Sequence, residues 1–224
     1  LPFAPNLYHV VTRPAFEKAR VTADRKLVAA GFEGLLSGKE FLALKLLMPV
    51  ICGALWFALL RLISVLSPQS EIAKNTLLAF LLGLALFYYY PLLWLRRVLR
   101  ARHTAIQRAL PFVLDLLTLS VEAGMDFMSA LQRNCERRKL DPLNEELIRM
   151  TREIQVGTPR RTALRNMAQR VDLGDLRSVA HALIQADELG VSIGAILRIQ
   201  SDQMRARRFD RAEKLANEAP VKML

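Results

Sequence analysis

Two apolar runs dominate the first half of the chain, and a helical alternation of apolar and polar positions fills the second. From Phe41 to Leu66 the only charges are Lys45 and Arg61, each close enough to an end for its long stem to carry the charge to a headgroup layer. These 26 residues would extend roughly 39 Å as a helix at 1.5 Å per residue, more than the apolar core of a bilayer. Thr76 to Leu95 gives 20 residues without a charge, with Tyr88, Tyr89, Tyr90 and Trp94 gathered toward one end like an interfacial aromatic belt. The pattern predicts transmembrane helices over 41–66 and 76–95 joined by a short polar loop, 67–75. Pro91 is placed to kink the last turn of the second. Ahead of the first span, Ala23 to Phe32 predicts a short amphipathic helix on the membrane face, turning through Gly31 to Gly38 into the span. Ala54 with Ala58, and Ala79 with Gly83, are small residues four apart. Such pairs let helix backbones approach closely, although small residues are common in membrane helices in any case.

After Arg102 the period is helical throughout and punctuation divides it into about six helices. They are Ile106–Ala123, with Pro111 in an early turn, then Phe127–Lys139 after an Asp126 N-cap, and Pro142–Val156 after an Asp141 N-cap. Pro159–Arg170 follows a Thr158 cap, Leu173–Leu189 stops at Gly190, and Ser192 opens a last helix reaching at least Ala219. Leu110, Val113, Leu114, Leu117 and Val121 form one apolar stripe, and Leu176, Val179, Ala180, Leu183 and Ile184 another. With connections this short, neighbouring helices are expected to be antiparallel. The turns 122–125 (EAGM), 155–158 (QVGT) and 188–191 (ELGV) share a polar or acidic residue two positions before a glycine, a weak internal repeat. In the last helix Ile193, Ile196, Leu197 and Ile199 can pack inward. Gln203 to Lys214 is nearly all polar and is expected to leave the core, either as a charged shaft or as a solvated helix face.

The fold class is therefore all-α, with two transmembrane helices followed by a helical bundle. Composition agrees: of 224 residues, 52% are hydrophobic and 24% charged, which excludes general disorder. The charge is unevenly placed, with 23 of the 32 Lys+Arg and 16 of the 21 Asp+Glu lying in 96–224. Basic residues flank both spans on the same side: Arg13, Lys18, Arg20, Arg25, Lys26 and Lys39 before the first, and Arg96, Arg97, Arg100, Arg102 and Arg108 after the second. The positive-inside rule puts these flanks, and with them the 1–40 segment and the 96–224 domain, in the cytoplasm. It also gives the net charge of +11 an explanation in anionic lipid headgroups rather than nucleic acid. Cys52 and Cys135 offer no disulfide framework and no metal-ligand spacing.

Candidate chemistry is sparse. His9, His103 and His181 are isolated in the sequence, and no convergent set of nucleophile, base and metal ligands is visible. Gly34 to Glu40 imitates a phosphate loop, but it has three residues between the glycines and Glu after the lysine. Glu122, Asp126, Glu153, Asp187 and Glu188 could include a cation site, with solvated helix caps the plainer reading. The sequence thus points to no enzyme, no cofactor and no metal.

The order of motifs carries more. LDLL with EAG (Leu114–Leu117, Glu122–Gly124), the turn from Gly157 through Thr-Pro-Arg-Arg to Leu164, QADELG (Gln185–Gly190) and the closing AEKLANEAPVKML resemble the type II secretion F-domain family over roughly residues 25–224. Within it the chain is most similar to the platform proteins of tight adherence (Tad, Flp) pili, on the TadC side by its closing segment and by the AGF and EFLALK stretches. The resemblance implies a non-enzymatic inner-membrane platform protein that couples a hexameric cytoplasmic secretion ATPase to pilin extraction and pilus assembly. The implied partners are that ATPase, a TadB-like sister platform protein, pilin and anionic lipids, in a homo- or hetero-oligomer. It also implies a third span after Leu224, and because the chain opens at Leu1 without a methionine both ends are expected to be truncated. On this reading Arg160, Arg161, Arg205, Arg207, Arg208 and Arg211 are candidates for partner contact or force transmission, and Glu122, Gly124, Gly157, Glu188 and Gly190 are structural turn positions. The rival from another class is a membrane-tethered scaffold that binds a cytoplasmic partner without passing on force.

Overall fold

The computed structural model describes residues 17–66 and 76–223; the 67–75 loop and the segment holding His9 and Arg13 lie outside the described residues. All eight described elements are helices: α1 (Glu17–Ala29), α2 (Gly38–Leu66), α3 (Thr76–Glu122), α4 (Phe127–Arg137), α5 (Pro142–Gln155), α6 (Arg160–Val171), α7 (Gly174–Leu189) and α8 (Ile193–Met223). Two of them, α2 and α3, are long and apolar enough to cross a membrane. The chain divides after Arg100 into two compact units.

In the first unit the apolar stretch of α2 lies along that of α3. Indole Nε1 of Trp56 donates to the carbonyl of Ala79 at 3.1 Å, and a side chain added at Gly83 would run into the Trp56 ring. The small pair on α3 therefore does bring the helices close. The pair expected on α2 does not: Ala54 and Ala58 are exposed, while Gly53 and Leu60 are buried. One residue of offset turns a helix by about 100°, and a uniformly apolar helix carries no polar face to fix its rotation.

α1 starts earlier than its apolar pattern suggested and buries Ala23 and Leu27 against Phe41 and Leu95. Phe32, just beyond it, sets its ring 5.6 Å from that of Trp94. The phosphate-loop look-alike is the entry to α2. The Ser37 N–H donates to the Glu40 carboxylate at 2.9 Å and the Glu40 N–H reaches the Ser37 hydroxyl at 3.4 Å, a reciprocal capping box. The Gly38 N–H is taken by the Asp24 carboxylate of α1. Gly38, Lys39 and Glu40 are thus bound up in starting a helix.

The most consequential difference is α3. The second span and the first helix of the bundle, expected as separate elements, form one helix of 47 residues that runs through Pro91 and Pro111. In the second unit its Ile106, Leu110, Val113, Leu114 and Leu117 are buried against side chains of α4 to α8. Leu131, Leu143, Met150, Leu164 and Leu197 are almost fully enclosed there, and each such side chain contributes about 2 kcal/mol by leaving water. Asp126 and Asp141 cap α4 and α5 as expected, each accepting two backbone N–H groups. Thr158 does not cap α6, because that helix begins one residue later and its N-cap, Pro159, has no side-chain acceptor.

The packing of α2 on α3 gives a direct test. Even Gly83→Ala places a methyl inside the space of the Trp56 ring. In a Trp94→Phe background, which leaves Trp56 as the sole tryptophan, Gly83→Ala should shift the emission maximum and lower the melting temperature in detergent. An unchanged spectrum would contradict the packing.

Candidate functional site

Antiparallel helices joined by short connections put alternate turns at opposite ends of a bundle. α4 packs on α5, α5 on α6, α6 on α7 and α7 on α8. The turns 122–126, 156–159 and 189–192 therefore share one end. They are built alike: Gly124, Gly157 and Gly190 have φ of 90°, 98° and 66°, and the next N–H in each reaches back five residues. Met125 donates to Ser120, Thr158 to Glu153 and Val191 to Ala186, each at 3.0–3.1 Å. This is a helix-terminating motif whose left-handed position favours glycine, so the weak sequence repeat has a conformational cause.

The same end gathers most of the expected contact and turn residues. Asp187 near the end of α7 takes both Arg160 and Arg161 from α6, the second at 2.8 Å, while Arg161 also lies 3.8 Å from Glu188. The Arg160 guanidinium sits 5.8 Å from the Phe127 ring centroid, a cation–π contact that joins α4 to this cluster. Glu122 meets Arg198 of α8 at 3.4 Å. Around these paired charges, Val156 and Leu189 are 83% and 76% exposed. The result is an end face of fixed ion pairs with two exposed apolar tips. Asp126, Glu153 and Asp187 are all taken up by caps or ion pairs. Among the described residues no group of three or more His, Cys, Asp or Glu is placed to hold a metal ion.

Arg205 and Arg207 lie away from that end, and they do not stand free. Arg205 reaches Asp115 of α3 at 2.8 Å and Arg207 reaches Asp175 of α7 at 3.0 Å. Ser201 and Met204 are buried between them, and the Ser201 hydroxyl donates to Asp115. The polar stretch of α8 therefore stays on the bundle through Arg207, past the point where it was expected to leave, whereas Ile199, expected inside, is half exposed. Arg208 and Arg211 are on α8, but their side chains lie outside the described residues.

A set of charges that sequence reasoning passed over ties the bundle together. Glu146 of α5, 9% exposed, lies 3.2 Å from both Arg102 of α3 and Arg170 of α6. Arg170 continues to Glu153, which also accepts from Asn166 at 3.3 Å. Because Glu146, Arg102 and Arg170 each have two partners, losing one member weakens the network without leaving its neighbours unpaired. The signal was available, because Glu146 falls within the buried stripe Leu143, Leu147, Met150. Arg102, counted among the lipid-facing basic residues, is spent on this network. The remaining reactive groups are quiet. Burial pushes the Cys135 thiol up to about 11, the His103 ring is held by the Val171 carbonyl at 2.8 Å, and His181 is exposed.

Burial raises the Asp115 carboxyl, but the hydrogen bond from Ser201, with the hydrogen bond and charge of Arg205, outweighs it and holds the group below the usual carboxylate range. A lowered folded value means that its contribution to stability is present above the unfolded value, about 4, and is lost as pH falls through the folded one. Asp115→Asn should therefore lower the melting temperature at neutral pH, and the difference from wild type should close on acidification below about pH 4. A difference independent of pH would place the effect elsewhere.

Compared with known protein families, residues 113–224 match the model of the type II secretion system (T2SS), protein F. No curated protein and no solved structure matches the chain.

Proposed function

The chain belongs to the type II secretion system protein F family, and from that membership we propose that it is a membrane platform protein of a secretion or pilus-assembly machine, of the tight adherence type and on its TadC side. Its two apolar helices span the inner membrane and its bundle lies in the cytoplasm, as the basic residues Arg96, Arg97 and Arg100 after the second span favour. A cytoplasmic secretion ATPase and a sister platform protein engage the bundle, and the spans hold a pilin's apolar helix during extraction. The protein performs no chemistry of its own in this scheme; it passes on motion.

One observation carries the mechanical part: α3 contains both the second apolar segment and the first helix of the bundle without a break. A continuous helix resists bending far better than a loop, because bending it lengthens the backbone hydrogen bonds along its convex side. A displacement of the bundle by the ATPase is then delivered along α3 to the membrane segment. The end face with Val156 and Leu189 supplies the surface for the ATPase to grip.

Inserting four glycines after Arg100 breaks this helix while leaving both units their own contacts. The variant should insert into the membrane and keep its helical content, but should abolish pilus assembly or secretion in the host. Normal assembly by a correctly inserted variant would refute force transmission through α3 and favour the tethered-scaffold reading, for which a flexible joint is harmless.

A further inference from the structure

α3 carries a second apolar stripe, on a different side from the one that fills the core. Phe112 and Leu119 are 58% and 64% exposed, and Leu116 and Ala123 continue the line at four- and three-residue steps. Between this stripe and α4 lies an open groove of about 680 Å³. Its far wall is basic, made by Arg133, Arg137 and Lys139, whose side chains have no ion-pair partner among the described residues. The one acid lining it, Asp141, is occupied by Arg138, and Arg138 itself retains a buried Nη1 with no acceptor. An exposed apolar floor beside unneutralised cations matches an acidic amphipathic helix.

Such a helix face exists on the same chain. On α8, the side opposite buried Leu197, Ser201 and Met204 exposes Ile199, Asp202, Ala206, Phe209, Asp210 and Glu213. These positions recur at helical spacing over the 15 residues from Ile199 to Glu213, a rise of roughly 21 Å at 1.5 Å per residue. The stripe, from Phe112 on α3 to Ala123 in the turn just past its end, runs roughly 17 Å on the same scale. Two apolar anchors and three carboxylates on α8 are thus matched in length and opposite in charge to the groove. α8 is fastened to its own bundle by Asp115, Glu122 and Asp175, so its outer face is free for another copy.

We propose that two copies of this chain pair through these surfaces, the Ile199–Glu213 face of each α8 lying in the α3–α4 groove of the other. The pairing is two-fold, so each contact is made twice, with Phe209 and Ile199 against Phe112, Leu116 and Leu119, and the α8 carboxylates against Arg133, Arg137 and Lys139. The proposal follows from exposed shape and charge alone and does not depend on which machine the chain serves.

The test uses the full chain in zwitterionic nanodiscs, from two differently tagged populations, one carrying Leu119→Cys and the other Phe209→Cys. Oxidation should give a disulfide-linked pair bearing both tags. Arg133→Glu with Arg137→Glu should cut the linked fraction at least tenfold. Adding Asp202→Lys with Asp210→Lys to that charge-reversed background should restore it, a rescue that misfolding cannot mimic. Four results would overturn the proposal: no linked pair from samples of native helical content, linkage indifferent to charge reversal, reversal without rescue, or loss of linkage when anionic lipid replaces zwitterionic lipid. The last would make the groove a lipid-binding surface.

Discussion

The rest of this structure depends on one helix that has to satisfy two solvents. Over Thr76–Leu95, α3 is uncharged, and in a bilayer its backbone can meet its hydrogen-bonding needs only within the helix itself. From Ile106 onward the same helix is amphipathic and is the strut on which the bundle is assembled. The polar contacts repeat the point. Arg102 reaches α5, His103 the last residue of α6, Gln107 the start of α7, and Asp115 and Glu122 reach α8. Four helices distant in sequence are thus each registered on α3 by a named side chain, in addition to the apolar side chains they share with it.

This arrangement separates the basic residues into two kinds. Arg102, Arg160, Arg170, Arg205 and Arg207 are paired with carboxylates of other helices; they set the geometry of the bundle and contribute little to its long-range field. Arg133, Arg137 and Lys139 have no such partner among the described residues and lie beside exposed apolar side chains. The net charge of +11 does not show this division, and in the proposed pairing it is these three residues that meet the carboxylates of the other copy.

Much of the fold was legible because it is written in local terms. The two apolar runs, the N-caps Asp126 and Asp141, and the glycines that end α3, α5 and α7 each act within a few residues. What escaped the sequence is long-range or rotational. Nothing local says that Arg205 and Arg207 meet Asp115 and Asp175, so a polar stretch read as departing from the core. Nothing in a uniformly apolar helix distinguishes Gly53 from Ala54. The arginine-rich stretch 96–102 and Pro111 looked like punctuation, yet a proline costs a helix less where the residues around it are held by packing, as Val113 and Leu114 are. Phe112, Leu116 and Leu119 were hidden by the stronger stripe of Leu110, Val113, Leu114 and Leu117, one helical step away. At the end face the turn glycines were legible, whereas Asp187, read only as a candidate for a cation site, is the residue that takes both Arg160 and Arg161.

The central claim is that α3 is continuous from its apolar segment into the bundle. Amide hydrogen exchange of the full chain in nanodiscs, read at 96–105, tests it most directly. Slow exchange there, comparable with the rest of the bundle, is the predicted result, since every amide in that stretch has an intrahelical acceptor. Exchange at the rate of an unstructured peptide would show a hinge between the two units and contradict the account.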